Sequence, residues 1–230
     1  MFRLDTFHMI CQITKTIMHY IRDLLRKERH ELKQEMISLL GTKWKVYNTF
    51  LWATNNTLSG LDGNSVFQFI DLIDDVIFFM NKSFVSTTSQ DNLLHALKCW
   101  TEIVPFLRIM YIINRNDTMA EQNTCKEDYD KLLVSIKDTI RHFYLHAAKS
   151  FMKKVINGDT ETFYMHALRH YILKHAQDTW TKYKLGVGIF TMEGFERRNK
   201  ESKEAVRKHT NKKDNITIQS CNKLYEKYNA

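Results

Sequence analysis

Apolar residues recur at steps of three and four through most of this chain, and almost nothing interrupts them: 230 residues contain one proline and seven glycines. Proline and glycine are the residues that break helical periodicity, and a strand would show strict alternation instead. No alternating stretch, internal repeat or low-complexity tract is present. The expected fold is therefore all-α, an irregular bundle of about seven or eight helices with no significant sheet. A hydrophobic content of 43% is that of a folded protein with one sizeable core or two small ones.

Taken in order, Phe7, Ile10, Cys11, Ile13, Ile17, Ile21 and Leu24 form one stripe of a helix from residue 4 to about 27. Arg22 to Lys33 is densely charged and reads as solvated. Met36 to Trp52 resumes an apolar face, and Asn55 to Asn64 reads as a turn region. A helix from Ser65 to Lys82 carries Val66, Phe69, Ile70, Ile73, Ile77 and Met80 on one stripe. Asp71, Asp74 and Asp75 fall off that stripe and read as its polar face. Ser89 or Asp91 is expected to cap an aromatic-rich helix over 91–115, which Pro105 should kink or end.

Asn114 to Thr124 is the most polar linker and the best place for an internal boundary. It divides the chain into an N-terminal helical region, 1–116, and a C-terminal one, 117–230, unless the two form one continuous domain. Tyr129 to Asn157 reads as a long amphipathic helix stopped by Gly158. Asp159 or Thr160 then caps a helix from Glu161 to Lys184, which Gly186 and Gly188 break. Trp100 and Trp180 sit at helical spacing and are expected in the core rather than as base-stacking platforms.

The segment that follows is different in kind. From Glu196 to Glu204 there is no apolar residue, so core burial cannot hold a helix there; such a helix faces solvent or a polar partner. Glu193 and Glu196 are three apart, on one helical face, and Lys200, Lys203 and Arg207 continue it. From Glu196 to Lys213 eight bases, among them Arg197 and Lys208, stand against three acids. Carboxylates hold hard divalent cations, and a basic stripe takes phosphates.

The run M-E-G-F-E-R-R-N-K-E-S-K, Met192 to Lys203, resembles the E-x-x-E-x-x-N-K helix near the C-terminus of the Transib transposases and of the related catalytic subunit of the V(D)J recombinase. The match covers about a dozen residues. In that family the second glutamate is the last carboxylate of an Asp-Asp-Glu metal site. The resemblance therefore implies a catalytic and metal-ligating role for Glu196, with Glu193 at the first glutamate and Asn199 and Lys200 at the N-K pair. It implies a divalent cofactor, magnesium or manganese, in an intact transposase, with DNA as partner and an intracellular, nuclear location. Arg197, Lys200, Lys203, Arg207 and Lys208 are the expected phosphate contacts. The two aspartates of such a nuclease stand on a β-sheet, and no strand-borne Asp precedes the glutamates here. The chain is then expected to be the helical C-terminal part of such a protein, a fragment or remnant that is not active alone.

His166 and His170, in Y-M-H-A-L-R-H, are four apart and on one side of a helix, the geometry two imidazoles use to share zinc. Ala167 and Leu168 in the middle exclude a zincin. In the recombinase family a histidine pair before the glutamate joins two cysteines on zinc; the spacing here differs and the cysteine pair is missing. Cys11, Cys99, Cys125 and Cys221 are widely separated with no C-x-x-C, so reduced thiols are expected. No phosphate loop or nucleophile motif is written, and no apolar run reaches the ~18 residues of a membrane span. The net charge of +8 suits an anionic partner. From another class, the alternative is a helical scaffold whose charged helix is solvated or docks an acidic protein.

Overall fold

The computed structural model describes residues 4–27, 38, 63–83, 88–112, 118–152 and 162–191. These form seven α-helices: α1 Thr6–Lys27, α2 Gly63–Asp71, α3 Ile73–Ser83, α4 Thr88–Arg108, α5 Met119–Lys149, α6 Phe163–His170 and α7 Ile172–Tyr183, followed by a 3-10 turn, Val187–Phe190. Among the described residues there is no strand, only an isolated antiparallel bridge between Tyr111 and Leu185. The all-α expectation holds. No described helix is long and apolar enough to cross a membrane.

Each helix buries the stripe its spacing dictates. In α1 Met9, Ile10, Ile13, Ile17 and Ile21 are buried. The Asp5 carboxylate starts that helix by accepting from the backbone N–H of Phe7 (3.0 Å) and of His8 (3.3 Å), which satisfies donors that no helical carbonyl can reach. Arg22 does not behave as the charge run predicted. It is 1% exposed, because it follows Met18 and Ile21 on the buried side, and its Nε and Nη2 each donate to Asp23 Oδ1 at 3.3 Å. Asp71 and Asp74 are exposed and Asp75 is half-buried, the polar face of α2 and α3. The single helix expected over 65–82 is interrupted at Leu72, whose N–H bonds to Phe69 rather than four residues back.

α4 and α5 are antiparallel partners, as their cross-contacts show: Asn92 meets His146, Trp100 meets Phe143, and Glu102 meets Thr139. Trp100 is fully buried at the centre. Its ring lies 5.5 Å from that of Phe143, and its Nε1–H donates to Thr14 Oγ1 of α1 at 3.0 Å. The partner satisfies the one polar atom that burying an indole would otherwise strand. Trp180 is likewise buried, 5.4 Å from Tyr129. The Tyr144 hydroxyl donates to the Met165 carbonyl and so ties α5 to α6. Buried side chains of all seven helices belong to one hydrophobic cluster.

Several boundaries move. α4 begins at Thr88, ahead of the expected caps, and Pro105 lies in its last turn, ending the helix at Arg108 without a break inside. α5 begins ten residues before Tyr129, inside the expected linker. Thr118 and Glu121 form a capping box: Glu121 N–H donates to Thr118 Oγ1 (3.4 Å), and Thr118 N–H donates to Glu121 Oε2 (2.7 Å). α5 ends at Lys149, short of the expected Asn157, and Gly158, Asp159 and Thr160 lie outside the described residues. Thr162 caps α6, and the helix expected over 161–184 is interrupted at Tyr171. By compactness the described helices fall within one unit, Met1–Phe190.

Gly186 and Gly188 do more than break α7. The chain folds back along the end of α4: Gly186 N–H donates to the Met110 carbonyl (2.9 Å) and Gly188 N–H to the Ile109 carbonyl (2.8 Å). A Cβ on Gly186 would stand 2.2 Å from the Ile109 oxygen, and one on Gly188 would stand 2.6 Å from the Arg108 carbonyl. The backbones approach too closely for any side chain.

Candidate functional site

Of the site residues read from sequence, Glu193, Glu196, Arg197, Lys200, Lys203, Arg207 and Lys208 lie outside the described residues. The two histidines lie within them. α6 is started by Thr162, whose hydroxyl accepts from Met165 N–H at 3.4 Å. It buries Met165, Ala167 and Leu168, which turns His166 and His170 outward, exposed and one turn apart, with ring centroids 4.5 Å apart. Tyr171 closes the group, 5.5 Å from His166 and 6.4 Å from His170. Arg169 lies over the Tyr144 ring at 5.5 Å, a cation–π contact on the flank of α6.

The pair supplies two imidazoles. A structural zinc site takes four ligands, and among the described residues no group of three or more His, Cys, Asp or Glu is gathered to hold a metal. Cys99 and Cys125 are free thiols; burial, and then the Glu102 carboxylate, push the Cys99 thiol up, away from the thiolate a metal needs.

A second histidine group joins two helices. His95 of α4 and His146 of α5 are stacked with centroids 4.8 Å apart and ring planes 26° apart. His146 Nδ1 lies 2.8 Å from Asn92 Oδ1. Burial lowers the His146 pKa, and His95, Lys149 and His142 lower it further. The i, i+4 spacing of His142 and His146 was legible in the sequence, but the pairing with His95 depends on the register of α4 against α5. A third histidine, His175, is buried with Nε2 lacking a hydrogen bond, its ring 4.9 Å from Phe190; burial lowers its pKa.

No protein-family model matches this chain, and no curated protein or solved structure does either.

Proposed function

We propose that this chain binds nucleic acid through its basic C-terminal segment, as the helical C-terminal part of a DDE-type, Transib-like transposase, and that it does not cut DNA alone. The observation that carries the proposal is charge at helical spacing. From Thr191 to Ala230 ten Lys and Arg stand against six Asp and Glu, which places half of the net +8 in that segment. Arg197, Lys200, Lys203 and Arg207 recur at three- and four-residue steps, the spacing that lines cations along one side of a helix. In an intact transposase Glu196 would ligate a divalent metal, with Glu193 beside it, and the protein would act in the nucleus.

The test is binding of a labelled DNA duplex over a range of salt. Each phosphate contact releases counterions, so log affinity should fall against log salt by about 0.9 per contact. Changing Lys200→Ala and Lys203→Ala together should flatten that slope by about two units and weaken binding to all sequences alike. Glu196→Gln should leave metal-free binding at least as tight, since it removes a negative charge. Binding that ignores salt, or a stoichiometric acidic protein partner with no DNA affinity, would favour the scaffold instead.

A further inference from the structure

α6 turns a row of rings to the surface. Its Met165, Ala167 and Leu168 are buried, while Phe163 and Tyr171 are each 53% exposed and His166 and His170, between them, are exposed as well. By ring centroids His166 lies 4.5 Å from His170 and 5.5 Å from Tyr171, so these three rings are contiguous. Phe163, His166 and His170 recur at steps of three and four, the spacing of one helical face. From Phe163 to Tyr171 the helix rises about 12 Å, the length of three or four bases stacked at about 3.4 Å. A cluster of exposed rings marks a surface that binds something.

The charge around the rings selects the partner. From Phe163 to Lys184 four Lys and Arg stand against one acid, Asp178. α4 holds two against two and α5 five against five; α1 is basic but has no large hydrophobic side chain exposed among its described residues. Arg169 flanks the rings and is exposed, and Lys174 follows His170 by one turn. Lys174 meets Asp178 at 3.0 Å as an exposed pair, which contributes little and yields readily to a phosphate. Rings edged by cations fit a polyanion that carries π faces, and in a duplex those faces are shut inside the stack. We propose that α6 is a stacking platform for the unpaired bases of a single-stranded nucleic acid, with Phe163, His166, His170 and Tyr171 against the bases and Arg169 and Lys174 on the phosphates. Aromatic and imidazole rings are the usual partners of splayed bases, and such stacking tolerates any sequence because every base has a π face. The platform rests on the nucleic-acid reading above and adds to it a contact that distinguishes unpaired from paired strands.

The experiment measures binding of the full chain to three fluorescein-labelled probes: oligothymidylate of about twelve nucleotides, within the site sizes usual for single strands, an abasic strand of the same length, and a duplex. The abasic strand keeps the phosphates and lacks the bases. The expected result is that the chain prefers oligothymidylate to the abasic strand, and that Phe163→Ala with Tyr171→Ala weakens oligothymidylate binding at least about tenfold, erases the preference and leaves duplex binding unchanged. Tyr171→Phe, which keeps the ring, should bind as the unaltered chain does. Circular dichroism checks the fold; should the double change fail to fold, Phe163→Ala alone, at an exposed position, decides by whether the preference shrinks. A chain that binds the duplex with salt dependence but shows no preference for bases over the abasic strand would overturn the platform alone. A chain that binds none of the probes would overturn the nucleic-acid reading and the platform with it. A double change that abolishes self-association in sedimentation velocity and leaves oligothymidylate binding intact would assign the face to a second copy of the chain and overturn the platform too.

Discussion

Gly188 has no room for a methyl group, because a Cβ there would stand 2.6 Å from the Arg108 carbonyl. Gly188→Ala should therefore cost about 3 kcal/mol through forced backbone displacement, read as a lower denaturant midpoint. Trp100 gives a matched pair of changes. Trp100→Ala should cost about 3–5 kcal/mol. Thr14→Val keeps the volume but strands a buried indole N–H, and should cost about 1–3 kcal/mol. The burial of Trp100 and Trp180 was legible from their helical spacing. The Thr14 partner was not, because it lies 86 positions away in the chain. Nor was the burial of Arg22, where charge density argued for solvent and register decided otherwise. Of the candidate residues, His166 and His170 stand side by side on α6 as their spacing required, while the His95–His146 pair needs a tertiary register that no local pattern encodes.

α5 is two helices in energetic terms. Its first ten residues are largely exposed, whereas Ile136, Ile140, Phe143 and Ala147 are buried against α4 and α6. Amide exchange should be fast from Met119 to Cys125 and slowest around Ile140 to Tyr144. Thr118→Ala should cost about 1 kcal/mol of helix stability and show chiefly as fraying of that first turn. The helices with continuous apolar stripes were readable in advance. The early start of α5 was missed because a polar composition outweighed a T-x-x-E box. The interruptions at Leu72 and Tyr171 carry neither glycine nor proline, so no local signal marks them.

Acid should loosen the body made by these helices. His19, His146 and His175 all have pKa values lowered by burial first of all. A histidine that folds with a depressed pKa binds fewer protons folded than unfolded. Its contribution is complete above about 6.5 and is lost as pH falls from there toward the folded value. Melting temperature should thus decline as pH falls from 7.5 to 5. His175→Phe, which keeps the ring and removes the unpartnered nitrogen, should flatten the decline; an unchanged pH profile would show that His175 does not titrate on unfolding.

The return of Leu185 to Gly188 onto the end of α4 has a consequence for how the protein is made. α1 leaves the ribosome before α6 and the Val187–Phe190 turn, against which it packs, and these are synthesised on the order of ten seconds later at ordinary elongation rates. Until then the isoleucines of α1 lack part of their native cover, and a nascent chain in that condition is a substrate for chaperones. Stalled chains from which Gly188 has not emerged should remain protease-sensitive throughout α1, and resistance should appear once the second glycine is clear of the exit tunnel.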